Sequence, residues 1–208
     1  MRYVGLALVL ALFAVAGWWV LQKQYASTDS QTPTTGAALA PEVETILSAK
    51  TGLLVALAAD SEVVAAVEAS NMRNASLSAD DIRHLDAEWQ ASKTVTPQIS
   101  QFMTNPTAKH LLAFQSGHPE FKEVFIADAF GLNMAQTDKT SDYYQADEAW
   151  WVNSFNGSAG RILHGDIEFD ESSQTEAISA YVPVKNAAGK AIGVVKGVIN
   201  LSALSSEL

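Results

Sequence analysis

The apolar positions of the first half of the domain recur at helical spacing. Across residues 41–70, "PEVETILSAKTGLLVALAADSEVVAAVEAS", apolar side chains return every three or four positions, which predicts a long amphipathic helix. Pro41 suits the start of a helix. A break is expected at Asp60, with Ser61 as the new N-cap.

Two further helical stretches follow at similar spacing. Residues 78–92 predict a helix capped by Ser78 or Asp80, because short polar side chains accept hydrogen bonds from the first free N–H groups. Residues 97–115 predict a third helical stretch, which Pro106 interrupts. The domain therefore begins with three helical regions.

After Pro119 the apolar period changes from helical to alternating, which indicates strands. A short helix is expected over residues 147–155, ended by "NGSAG". Strands are predicted over five stretches, residues 121–128, 132–137, 161–169, 175–186 and 191–201. This order predicts an α+β fold with a five-stranded antiparallel sheet, a long N-terminal helix and further helices packed on one face.

The N-terminus is a candidate membrane anchor. Residues 3–21 are uncharged and almost wholly apolar, and at about 1.5 Å per residue they just cross a hydrocarbon core of roughly 30 Å. A cleaved signal peptide is the alternative, with "AVA" at 14–16 as the cleavage site. The apolar run continues through Trp18, Trp19 and Leu21, and Lys23 follows it, which favours an uncleaved anchor with an interfacial aromatic belt.

The chain is therefore expected to have three parts. Residues 1–22 form the transmembrane anchor, residues 23–40 a flexible linker rich in Ser, Thr, Gly and Ala, and residues 41–208 the folded domain. A short N-terminal flank in the cytoplasm is the simplest orientation. It places the domain in the periplasm, attached to a bacterial inner membrane.

Composition narrows the partners and the chemistry. The formal net charge of −10 argues against nucleic acid and anionic lipid surfaces, which repel an acidic protein. The chain has no cysteine, which excludes disulfides and thiolate metal sites. No catalytic motif is present, so we expect neither an enzyme nor a cofactor. The histidines show no metal-ligand spacing: His84, His110, His118 and His164.

One stretch concentrates candidate ligand-binding groups. "TSDYYQADEAWWVNSF", residues 140–155, combines aromatic rings and carboxylates without any Lys, Arg, Cys or His. Ring faces attract cations by about 0.5–2 kcal/mol per contact, and carboxylates supply the countercharge. The expected ring donors are Tyr143, Tyr144, Trp150, Trp151 and Tyr181, and the expected acids are Asp142, Asp147, Glu148, Asp166 and Asp170.

Structural roles compete with this interpretation. Acids at 147 and 148 would also stabilise the first turn of the short helix, and Asp142 would suit a turn. Trp150 and Trp151 point about 100° apart on a helix, so one of them is expected in the core. Asp166 and Asp170 alternate with apolar residues and would also form the solvent face of a strand. Calcium is a weaker alternative, because no loop has the compact spacing of a calcium motif.

Several motifs in this order resemble the Cache (PDC) family of extracytoplasmic sensor domains, of the single-Cache type. The resemblance implies that the five-stranded antiparallel sheet is PAS-like. The motifs cover most of residues 41–204 and are "LDAEW" (85–89), "EVFIADAFGLNMAQT" (123–137), "TSDYYQADEAWW" (140–151), "GDIEFDES" (165–172), "YVPV" (181–184) and "GKAIGVVKGVINL" (189–201). The resemblance implies a ligand held between the sheet and residues 138–155. It also implies that binding shifts the long first helix.

The same resemblance bears on the ligand. Amino-acid-binding relatives place an Arg, which holds the ligand carboxylate, just before an aromatic pair. Aligning that pair with Trp150 and Trp151 puts Glu148 at the position of the Arg. A Glu repels a carboxylate, so we expect a small organic cation, such as an amine or a quaternary ammonium ion.

Two functions follow from these observations. The first is a ligand-binding sensor that relays occupancy through its N-terminal helix to the membrane or to a partner histidine kinase, chemoreceptor or transporter. The resemblance adds pairing of two chains through the long helix. The second is a non-catalytic periplasmic scaffold whose pocket is filled by its own side chains. An open pocket lined by a Trp and an acid favours the first.

Overall fold

Helices form the first part of the domain. The computed structural model describes residues 39–170 and 175–205. Its first helices are α1 (Pro41–Ala58), α2 (Ser61–Asn74), α3 (Ala79–Ala91), α4 (Pro97–Thr104) and α5 (Pro106–Gly117). The predicted helical regions are present, and the breaks fall where local chemistry favours them.

The caps explain the breaks. The first helix does break at Asp60, but the N-cap of α2 is Asp60 itself, whose side chain accepts the Glu62 N–H; the predicted Ser61 cap is wrong. Ser78 caps α3 in a reciprocal box with Asp81. Asn105 ends α4 and caps α5, so Pro106 begins a new helix rather than bending an old one.

A five-stranded antiparallel sheet forms the second part, as predicted. Its strands lie in the order β2-β1-β5-β4-β3. Their bounds are β1 (Phe121–Asp128), β2 (Asn133–Gln136), β3 (Leu163–Asp170), β4 (Thr175–Lys185) and β5 (Ala191–Asn200). The short helix α6 (Ala149–Phe155) follows β2, and α7 (Leu201–Ser205) follows β5. Leu201 was predicted in the last strand and instead starts this helix.

The main core lies between the sheet and the helices α1, α2 and α5. Leu54 and Val63 pack there against Ile126, Val182 and Ile199, all buried. The helix α6 packs on the opposite face of the sheet, where Trp151 contacts a separate buried cluster. The expectation of helices on one face is thus wrong for α6, and the covering of the second face creates the space for a site.

The predicted anchor, residues 1–22, and residues 23–38 of the predicted linker lie outside the described residues. The linker prediction is wrong at its end, because Leu39 packs against the main core. Among the residues that the structure describes, none of the helices is both long enough and apolar enough to span a bilayer.

Candidate functional site

A row of side chains crosses the sheet on the face covered by α6. Strand register pairs Gln136 with Phe125, Phe125 with Lys196, Lys196 with Tyr181, and Tyr181 with Leu163. Directly paired residues project from the same face. We call this row the floor row. Lys196 projects from its middle, between the rings of Phe125 and Tyr181.

The segment that covers this floor is fixed by α3. The Asp86 Oδ1 atom accepts the backbone N–H groups of Tyr143 at 2.9 Å and Tyr144 at 3.0 Å. The Trp89 Nε1–H group donates to the Thr140 carbonyl oxygen at 2.9 Å. These bonds give the "LDAEW" motif a physical role, which is to position the loop between β2 and α6.

The hairpin formed by β1 and β2 also holds the loop between β2 and α6. The Asn133 amide nitrogen donates to the Thr140 hydroxyl at 2.8 Å and to the Asp142 carbonyl at 3.0 Å. Gly131 takes a positive φ of 74°, and a Cβ placed there would lie 2.4 Å from the Ala146 Cβ. Only glycine allows the loop to approach the turn so closely.

The helix α6 sends its two tryptophans to different places. Trp150 stacks on Tyr181, with ring centroids 5.0 Å apart and planes at 14°, and meets the edge of Phe125 at 5.9 Å. Trp151 is buried, stacks on Phe155 at 4.6 Å and packs into the α6 cluster. Trp150 thus faces the floor row, and Trp151 anchors the helix.

Between α6, its preceding loop and the strands β3, β4 and β5 lies an open cavity of about 240 Å³. Its charged lining comprises four carboxylates and one lysine, namely Asp142, Glu148, Asp166, Glu168 and Lys196. The aromatic lining comprises Trp150, Tyr181 and Phe169, the last of which is 60% exposed. The cavity is therefore small, partly aromatic and negatively charged.

Burial and neighbouring acids both act on the carboxyls of the cavity. Burial raises the pKa of Asp142, and the nearby Asp86 and Asp147 add to the rise, while the Gln145 side chain opposes it. Burial also raises the pKa of Glu148, together with Asp142 and Asp147, against the influence of Lys196. Both carboxyls would gain from an added cation.

Tyr181 stays neutral beneath Trp150. Burial raises its pKa to about 12; a hydrogen bond with Ser179 opposes the rise, and Glu168, Glu148 and Asp166 add to it. Gly165 lies beside the ring, where a Cβ would come within 3.1 Å of the Tyr181 hydroxyl. The lack of a side chain at Gly165, where the register of β3 is irregular, thus leaves room for the phenol.

The predicted site residues separate into two groups. The structure brings Glu148, Trp150, Asp166 and Tyr181 together, along with Asp142. Glu148 stands at the N-cap position of α6, but its side chain makes no capping hydrogen bond.

Other predicted residues do not line this cavity. Tyr143 is buried among Trp89 and Phe102, and Tyr144 packs beside that cluster. Asp147 is exposed and does not line the cavity, although its charge contributes to the raised pKa values of Asp142 and Glu148. Trp151 belongs to the packing of α6. The strand β3 ends at Asp170, whose side chain falls outside the described part of the chain.

Sequence reasoning missed Lys196 and Glu168. Lys196 is the one charged residue of "AIGVVKGVINL", and a charge on an otherwise apolar central strand was the available signal. The Lys196 Nζ atom lies 5.3 Å from the Trp150 ring centroid and 5.5 Å from that of Phe125. Both distances are within the range of a cation–π contact.

A second, larger groove of about 530 Å³ lies between α3 and the start of α4, lined by Leu85, Trp89 and Ile99 among others. Its one lining acid is Glu88 and its one lining aromatic residue is Trp89, so it has fewer charged and aromatic groups than the first cavity. Across residues 39–170 and 175–205, no cluster of three or more His, Asp or Glu side chains could hold a metal ion.

Comparison with protein-family models finds no match, and comparison with curated proteins finds none either. Solved structures do match. The ligand-binding domain of the Pseudomonas fluorescens chemoreceptor CtaA, in complex with L-serine, is 19% identical; the match covers 80% of this chain and 56% of that one, with a TM-score of 0.41. The V. cholerae histidine kinase DctB sensor domain is 14% identical, with coverages of 79% and 54% and a TM-score of 0.43.

The sensory domain of the Campylobacter jejuni chemoreceptor Tlp3, with isoleucine bound, is also similar, at 14% identity, coverages of 81% and 67%, and a TM-score of 0.40. This chain spans little more than half the length of the CtaA and DctB domains that it matches. These matched structures are ligand-binding or sensor domains of chemoreceptors and of a histidine kinase.

Proposed function

We propose that this protein is a membrane-anchored periplasmic sensor module that binds a small organic cation, favoured as an amine, in the cavity beneath α6. Residues 1–22 would anchor it, residues 23–40 would tether it, and residues 41–208 would bind the ligand. Occupancy would pass through α1 to the membrane or to a partner histidine kinase, chemoreceptor or transporter. Two chains would pair through the long helix.

The observation that carries the proposal is the charge of the cavity. Four carboxylates and one lysine line it. Burial, and to a smaller extent neighbouring acids, raises the pKa of Asp142 and of Glu148, so the ionised form of each carboxyl is disfavoured in the unliganded protein. A ligand ammonium group would favour the ionised form.

The contact between β5 and α1 supports a relay. Lys196 points into the cavity, and the next residue, Gly197, lies on the other face under the Leu54 side chain of α1. A shift of β5 caused by a ligand beside Lys196 would therefore press directly on α1. Close-packed contacts transmit such shifts, because protein interiors have little free volume.

A thermal-shift screen of the full chain tests the ligand class, with amines, amino acids and carboxylates as the three groups. A ligand at 100 times its Kd should stabilise the protein by about 2.7 kcal/mol. We expect amines to raise the melting temperature. Asp142→Asn and Glu148→Gln should each weaken the response, whereas Glu68→Gln, which changes an exposed acid on α2 away from the cavity lining, should retain it.

The outcomes separate the candidates. A shift with carboxylates alone would reject the cation. No shift with any compound would favour the scaffold function, in which Lys196 and the stacked rings of Trp150 and Tyr181 fill the cavity themselves.

A further inference from the structure

Lys196 already occupies the ring faces that an organic cation would seek. The planes of Phe125 and Trp150 meet at 82°, so the two rings form a corner. The Lys196 ammonium lies in that corner, 5.5 Å and 5.3 Å from the two centroids. We call this corner, formed by Phe125 and Trp150, the ring seat.

The ring faces that Trp150 and Tyr181 turn toward each other are also covered. Tyr181 stacks against Trp150 at 5.0 Å, nearly in parallel, which leaves no room for a cation between them. Phe125 and Tyr181, on either side of Lys196 in the floor row, are only 2% and 9% exposed. The lysine stem is therefore confined between two buried rings.

Carboxylates are the charged groups of the lining that remain available to a ligand. Asp142 and Glu148 line the cavity from the covering segment, and Asp166 and Glu168 line it from β3. A primary ammonium group has three N–H donors and can bond these acceptors directly. A quaternary ammonium ion has no donor, and its recognition depends on ring faces.

We propose that Lys196 fills the ring seat and thereby makes the cavity selective for primary amines over quaternary ammonium ions. This inference rests on the proposed function and decides between the two ligand types that the sequence left open. Lys196 acts as a specificity-determining residue by exclusion, because its own ammonium group occupies the place that a quaternary ammonium headgroup would need.

Two probes that differ only in their headgroup test the proposal: butylammonium and butyltrimethylammonium. Isothermal titration of the full chain should give at least about tenfold tighter binding of the primary amine. In Lys196→Met, which keeps the stem but removes the charge, the quaternary ion should gain about tenfold, because its contacts with the vacated rings become available. Lys196→Arg should keep the selectivity of the unchanged protein.

Lys190→Met is the matched control, because it makes the same change at an exposed position in the turn between β4 and β5; it should leave both affinities unchanged. Equal binding of the two probes by the unchanged protein would overturn the inference, even if Lys196→Met did not fold. An unaltered ratio in Lys196→Met would do the same.

Two results would point elsewhere. Binding of butyrate that Lys196→Met abolishes would show that Lys196 anchors an anion, which contradicts the inference. If neither amine bound the unchanged protein, the proposed ligand class would fail and this inference with it. Amine binding without selectivity would overturn only the inference.

Discussion

Leu54 of α1 packs so tightly on Gly197 of β5 that a Cβ placed at residue 197 would lie 2.7 Å from a Leu54 methyl carbon and 3.1 Å from the Phe121 ring. Leu54 is fully buried. The absent side chain at 197 is therefore what brings the first helix onto the strand that carries Lys196.

Gly197→Ala should destabilise the protein by about 1–3 kcal/mol, because the added methyl overpacks this contact. Urea unfolding monitored by circular dichroism measures the loss. Gly52→Ala is the matched control: Gly52 is exposed within α1, and nothing lies within 4 Å of an added Cβ. It should stabilise the protein by about 0.5–1 kcal/mol. Equal effects of the two changes would contradict the packing argument.

Asp86→Ala should loosen the loop over the cavity. The change removes the acceptor of the Tyr143 and Tyr144 N–H groups, at a cost of about 1–3 kcal/mol. Hydrogen exchange at these two amides should accelerate. Glu88→Ala, at an exposed position on the same helix, should change stability by less than about 0.5 kcal/mol. Unchanged exchange in Asp86→Ala would show that the loop is held by other contacts.

The two tryptophans of α6 should respond differently to truncation. Trp151→Ala should cost about 3–5 kcal/mol, since it empties a buried position. Trp150 is half-buried, so Trp150→Ala should cost less stability and should reduce the thermal shift produced by amines. Denaturant unfolding and the amine screen measure the two effects. A larger stability loss for Trp150→Ala would reverse the assigned roles.

Asp142→Asn should stabilise the unliganded protein near pH 7 and have no effect near pH 3. Burial raises the pKa of Asp142, so the folded protein holds this proton more tightly than the unfolded chain does. The destabilisation is absent below the unfolded value near 4 and develops as the pH rises through the raised pKa. Melting temperatures across this range measure it.

Glu68→Gln, an exposed change on α2, is the control and should show no such pH-dependent gain. If Asp142→Asn instead lowered the melting temperature at neutral pH, the carboxylate would be stabilised by its surroundings. Amine binding should strengthen over the same rise in pH, because the ionised carboxylate is the form that pairs with the ammonium group.

Local patterns predicted the elements well, because caps and periodicity act over a few residues. The bounds of β1 follow the predicted alternation, and Pro97 and Pro106 both begin helices. The cap at Asp60 was misplaced by one residue, since Asp and Ser both suit an N-cap. The helix that begins at Leu201 was missed because Leu201 and Ala203 continue the alternation of apolar and polar residues of β5.

The sequence by itself determined the α+β class, the order of the strands along the chain and the acidic, aromatic character of the covering segment. These follow from periodicity and composition, which are local properties. Only the tertiary structure decided which side chains meet. The order β2-β1-β5-β4-β3 places Lys196 between Phe125 and Tyr181. The pairing of Phe125 with Lys196 joins two strands that lie far apart in the sequence. Such neighbours depend on strand pairing across the sheet, which no local pattern specifies.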